Sequence, residues 1–223
     1  MTETVWIFGD SYSYRNPEPG AVRTWPRMLE KVYNVVNYSL DGTGPDWSLE
    51  QLVNIPDDTD TSNISLIFFV SNIYRQNWKF WKSDSHQFLS VELVLNMRFQ
   101  EEKEVNSLKR EYNKYKDFAK QTIKNRKDSW AKIEHQKVLG MLNLVAPKFK
   151  KVLIVYCFND YHPWGKEEFI LGPNVHIFSK VMNTFHIEPS GQQFDGLYNH
   201  LPIKTHKKVF NYFKNWINNN VQI

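Results

Sequence analysis

Three short apolar runs interrupt an otherwise polar chain: Val5–Phe8, Leu66–Val70 and Val152–Tyr156. Each is rich in β-branched or aromatic residues and bounded by turn formers. Uninterrupted apolar runs of this length fit strands covered on both faces, as in a parallel sheet. Val35-Val36-Asn37-Tyr38 is a fourth strand candidate and Val175–Phe178 a weaker fifth. Helical spacing appears between the runs. Trp25–Tyr33 aligns Met28, Leu29 and Val32, Trp47–Val53 follows Asp46 as a candidate N-cap, and Lys204–Val221 places Val209, Phe210, Phe213, Trp216 and Ile217 on one stripe. Strands alternating with helices predict an α/β domain whose ligand sites lie at the carboxyl ends of the strands.

The stretch from Phe88 to Ala146 departs from this rhythm. It reads as long helices rich in Lys, Glu and Gln, a basic helical insertion (88–146) within a single domain spanning 1–223. From Arg98 to Lys151 there are 15 basic and 7 acidic residues, a local charge of +8 in a chain of +4, so the remainder carries −4. One reading is a solvated helical pair with Leu, Val and Phe on its inner face. The other is a docking surface for an anionic partner at 98–151, because Tyr112, Tyr115, Phe118 and Trp130 are interleaved with the lysines. The mild total charge does not by itself argue for nucleic acid.

Composition narrows the classes further. A chain of 223 residues buries a sizeable core without staples, and Cys157, the single cysteine, excludes an internal disulfide framework or a CxxC metal site. No apolar run reaches the length of a membrane-spanning helix. Met1-Thr2-Glu3-Thr4 leads straight into the first apolar run, with no basic region or cleavage site of a signal peptide. The expectation is a cytoplasmic protein; carriage on a particle or release by lysis is compatible with the same features.

Candidate chemistry begins at Gly9-Asp10-Ser11, directly after the first strand. A glycine permits a tight turn there, and the turn presents the Ser11 hydroxyl to the crevice. Alone, the tripeptide equally suits an ordinary strand-to-loop turn. A serine nucleophile requires a base, and the chain has seven histidines: His86, His135, His162, His176, His186, His200 and His206. Asp195 and His200 precede the final helix, whose first turn Pro202 suits. A carboxylate near an imidazole fixes its tautomer, although a loop histidine capping the helix is the plainer account of His200. His86 and His135 have no second ligand at metal spacing and read as surface residues. Neither GxGxxG, Walker, GxSxG nor HExxH patterns occur.

Together these residues resemble the SGNH (GDSL-type) hydrolase family. Gly9-Asp10-Ser11 is similar to its first block. Asn37-Tyr38-Ser39-Leu40-Asp41-Gly42 is similar to the second, which implies an oxyanion-hole role for Gly42, with Gly44 as the alternative. Asn72 matches the oxyanion asparagine of the third block, but Val70 and Ile73 replace the flanking Gly and Asp. His200 and His206 reproduce the six-residue histidine spacing of the last block. Leu197 stands where the family has its catalytic Asp, so either Asp195 completes the triad from a longer loop or the third member is missing. Trp25-Pro26 also resembles family members. The similarity spans roughly residues 5–75 and 150–215.

The resemblance implies a three-layer α/β/α fold with a flavodoxin-like parallel sheet of about five strands. It also implies a serine ester hydrolase, either esterase/lipase-like or a carbohydrate O-deacetylase, that needs no metal or organic cofactor. Ser11 would be the nucleophile, His200 the base and Asp195 its orienting group, with Ser11, Gly42 and Asn72 as the oxyanion hole. Arg75, Trp78 and Trp81 follow the third strand and are candidates for the crevice mouth, against surface ion pairing for Arg75 and packing for the tryptophans. The departures from the family pattern keep open a non-catalytic binding module or adaptor for carbohydrate or protein. A nucleotide or flavin binder is disfavoured, because the first turn lacks a glycine-rich phosphate cradle.

Overall fold

A computed structural model of the chain describes residues 2–15, 23–41, 43–71, 128–158, 171–186 and 201–219. Five strands form one sheet: β1 (Thr4–Phe8), β2 (Asn34–Asn37), β3 (Ile64–Val70), β4 (Lys151–Tyr156) and β5 (Val175–Ile177). All pairings are parallel, in the order β2-β1-β3-β4-β5. Among the described residues, four α-helices accompany them: α1 (Trp25–Glu30), α2 (Pro45–Val53), α3 (Asp128–Val145) and α4 (Ile203–Asn218). The sequence order reverses between β1 and β3, and a doubly wound sheet opens its ligand crevice at the carboxyl ends of the strands at such a point.

The apolar runs explain the layering. Side chains alternate across a strand, and in β1, β3 and β4 both sets are apolar. Trp6, Phe8, Leu66, Phe68, Val152 and Ile154 join Leu52 of α2 and Val138, Leu139 and Leu142 of α3 in one core. Val5, Ile7, Ile67, Phe69, Leu153 and Val155 join Leu29 of α1 and Val209, Phe213, Trp216 and Ile217 of α4 in the other. The result is a three-layer α/β/α fold with α2 and α3 on one face and α1 and α4 on the other. Phe8 pairs with Phe68 and Val70 with Tyr156, so β1, β3 and β4 end near one level.

Some local expectations need correction. Helix α2 starts at Pro45 with Gly44 as its N-cap, so Asp46 lies inside the first turn. Proline is pre-organised for that position, which moves the start upstream. Helix α1 stops at Glu30, leaving Val32 exposed in the turn that follows. His135 is fully buried, not a surface residue, because it shares the inner face of α3 with Val138, Leu139 and Leu142. Of segment 88–146, only 128–146 falls among the described residues. Its helix α3 packs on the sheet immediately before β4.

Candidate functional site

Gly9 begins the turn after β1, and its lack of a side chain is a packing requirement. A Cβ there would lie 2.3 Å from Ser13 Oγ and 2.7 Å from Phe69 Cβ. Asp10 then closes the turn twice: its carbonyl accepts the Ser13 N–H at 3.0 Å, and its Oδ1 accepts the Tyr12 N–H at 3.1 Å. Short acidic side chains favour such turns because they bond the main chain two residues on. Ser11 occupies the middle of this turn, beyond the end of β1 and beside the point where strand order reverses. It is 7% exposed.

The loop after β2 is fastened to the same turn. Asn37 Nδ2 donates to the Ser13 carbonyl at 2.8 Å, while Asn37 Oδ1 accepts the Ser39 N–H at 2.9 Å. The Ser13 and Ser39 hydroxyls bond each other at 2.8 Å. Leu40 N–H donates to the Gly9 carbonyl at 3.1 Å. The second family-like block therefore lies against the first, with Asn37 as the clamp. Gly42, the expected oxyanion donor, lies outside the described residues; Asp41 and Thr43 flank it.

The carboxylate of Asp10 is fully buried. Its Oδ2 accepts the Ser71 hydroxyl and its Oδ1 lies 3.7 Å from the Cys157 thiol that donates to it. Ser71 follows β3 and Cys157 follows β4, so one carboxylate joins the ends of three strands. Neither Ser71 nor Cys157 carries a sequence signal for this contact. The signal for Asp10 was present as an aspartate two residues before a main-chain N–H in a turn.

The final helix reaches the turn through Trp25. Trp25 Nε1 donates to the Tyr12 carbonyl at 3.0 Å, and the Trp25 main-chain N–H donates to Nδ1 of His206 at 3.2 Å. This imidazole acceptor satisfies one of the N–H groups that a helix start leaves without an intrahelical partner. The Trp25 ring stacks on Phe69 at 5.5 Å and meets Phe213 edge-on at 4.8 Å. Tyr33 Oη donates to Asn218 Oδ1 at 2.8 Å, so α1 and α4 run side by side in the same direction. Pro202 is the N-cap of α4 and Leu201 is buried. Asp195 and His200 precede this anchored helix start in the sequence. Asn72, Arg75, Trp78, Trp81, Asp195 and His200 themselves lie outside the described residues.

On the other face of β4, next to Cys157, Tyr156 Oη and His135 Nε2 share a hydrogen bond of 2.8 Å. Burial pushes the His135 imidazole down to about 4 and raises the Tyr156 phenol. Among the described residues, no three His, Cys, Asp or Glu side chains come together as a metal site, and no helix is long and apolar enough to cross a membrane.

No family model and no curated protein matches the chain. Several solved structures do. A lipolytic protein of the G-D-S-L family from Veillonella parvula is 11% identical, covers 96% of each chain and has a TM-score of 0.47. TesA is 12% identical over 96% of this chain and 97% of its own, with a TM-score of 0.49. The psychrotrophic esterase EstA from Pseudoalteromonas sp., in a form inhibited by monoethylphosphonate, is 12% identical over 97% of this chain and all of its own (100%), also at 0.49.

Proposed function

We propose that the chain is a serine ester hydrolase of the SGNH (GDSL-type) family with Ser11 as its nucleophile. The observation that carries this reading is the position of Ser11. It stands in a turn at the switch point of a parallel sheet, tied through Tyr12, Trp25 and His206 to the helix that follows His200 in the sequence. Ser11 Oγ attacks the ester carbonyl carbon. His200 takes its proton and returns it to the leaving alcohol, and water then releases the acyl group by the same route. Asp195 orients His200. The N–H groups of Ser11 and Gly42 and the amide of Asn72 hold the oxyanion, each donor worth about 3–4 kcal/mol in the transition state. Small esters, including acetylated carbohydrates, are the substrate class, and Arg75 and Trp78 border the crevice. The local charge of +8 over 98–151 supports either a solvated helical face or a docking surface for an anionic partner, and we place the protein in the cytoplasm.

One observation favours the second reading, a non-catalytic binding module: Ser11 is 7% exposed. A fluorophosphonate probe decides between them, because it labels only an activated serine. Wild-type protein is expected to be labelled and to hydrolyse p-nitrophenyl acetate, and Ser11→Ala to do neither with its fold intact. Turnover that persists in Ser11→Ala excludes Ser11 as nucleophile.

A further inference from the structure

We infer that Asp10 is a positioning residue, which sets Ser11 against the exit of β3 through its bonds to Tyr12 and Ser71. The inference rests on Ser11 being the nucleophile and adds a role for a carboxylate that touches no substrate. A buried carboxylate is costly unless well hydrogen-bonded. Here the cost is met by the Tyr12 N–H, the Ser71 hydroxyl and the Cys157 thiol. Hydrogen bonds to an ionised acceptor are shorter and roughly twice as strong as neutral ones, so they hold geometry as well as charge.

The three donors come from three strand ends, those of β1, β3 and β4. Tyr12 is the residue after Ser11, and Ser71 is the residue before Asn72. The carboxylate therefore pins the main chain beside the nucleophile to the main chain leading into the proposed oxyanion donor. It does so across the β1–β3 boundary, where the sheet itself opens its crevice. Misplacing reacting groups by about 1 Å costs on the order of 100-fold in rate, so a clamp at this boundary acts on chemistry rather than on binding.

The test is the rate constant for phosphonylation of Ser11 by a fluorophosphonate in full-length protein, with the folded fraction measured by urea titration. Asp10→Ala is expected to lower the rate constant about 100-fold. Asp10→Asn should lower it about 10-fold, since the amide still accepts the Tyr12 N–H and turns a donor toward Ser71. Ser71→Ala should also lose about 10-fold, and the double variant Asp10→Ala/Ser71→Ala should be no slower than Asp10→Ala, because Ser71 acts on the turn through its bond to Asp10, which Asp10→Ala has already removed. A merely structural role lowers the labelled amplitude with the folded fraction and leaves the rate constant alone; that result overturns the inference. If Asp10→Ala does not fold, Ser71→Ala decides, and a wild-type rate constant there overturns the inference equally. Wild-type protein that takes no label overturns the Ser11 reading and this inference together. A labelled wild type with unaffected Asp10 and Ser71 variants overturns this inference alone.

Discussion

Trp25 and His206 are 181 residues apart, yet the Trp25 main-chain N–H donates to His206 Nδ1 at 3.2 Å inside the core. The bond requires the imidazole to keep Nδ1 unprotonated, so its proton stays on Nε2. It couples α4 to α1, and the Trp25 indole carries the coupling on to the Ser11 turn. His206→Ala removes the acceptor and leaves a buried N–H and a void. We predict a loss of about 2–4 kcal/mol in urea unfolding. His206→Asn, whose Oδ1 stands close to the place of Nδ1, should recover about half. Equal stability of the two variants would show that the void, not the hydrogen bond, sets the cost.

Gly9→Ala tests the tightness of the nucleophile turn. The added methyl would meet Ser13 Oγ at 2.3 Å and Phe69 Cβ at 2.7 Å. Ser13 cannot yield freely, since its hydroxyl bonds Ser39 and the Asp10 carbonyl. The strand or the turn must shift, at about 1–3 kcal/mol for an overpacked core. Hydrolysis of p-nitrophenyl acetate should fall more than the folded fraction does. A fully active Gly9→Ala would show that the turn has slack.

Much of this architecture was legible because β1, β3 and β4 lack polar alternation, the mark of strands covered on both faces. The short edge strand β2, whose residues are at most half-buried, was legible from its β-branched pair Val35 and Val36. Helix α2 begins two residues before the start that Asp46 as an N-cap implies, because Pro45 is pre-organised for the first helical position. The burial of His135 was readable too: Val138, Leu139 and Leu142 follow it at three, four and seven residues, one face of a helix. The Trp25–His206 bond left no trace in the sequence, since main-chain donors carry no residue code. The Asp10–Ser71–Cys157 cluster was hidden for a related reason, as each member is an ordinary turn residue until strand order brings the three ends together.

His135 makes stability depend on pH. Its imidazole stays neutral in the fold down to about 4, against an ordinary value of 6.5. Between those values the unfolded chain binds a proton that the folded chain does not, so stability rises with pH across the window and is lost as pH falls through it. The contribution of this group is on the order of 3 kcal/mol. His135→Gln keeps a partner for Tyr156 and cannot titrate. Urea unfolding at pH 7 and pH 4.5 should show a smaller drop in this variant than in wild type. Identical drops would assign the acid sensitivity to other groups.

Lys150 and Lys151 are adjacent, and the structure separates their contributions to stability. Lys150 Nζ meets Glu3 Oε1 at 3.1 Å on the surface, an exposed pair worth about 0–1 kcal/mol. Lys151 is 3% exposed. Its Nζ donates to the carbonyls of Trp216 at 2.7 Å and Ile217 at 2.8 Å, the last turn of α4, and stands 4.8 Å from the Trp216 ring centroid. A cation at that end satisfies carbonyls that the helix leaves without partners and opposes the negative end of its dipole. Lys151→Met keeps the apolar stem and removes both bonds, so we predict a loss of about 2–3 kcal/mol. Lys150→Met should change stability by less than about 1 kcal/mol. Because Trp216 and Ile217 lie in the core shared with Trp25, Lys151→Met should also raise amide exchange along α4 from its carboxyl end. If both variants unfold at the wild-type urea midpoint, the ammonium does not hold the helix end.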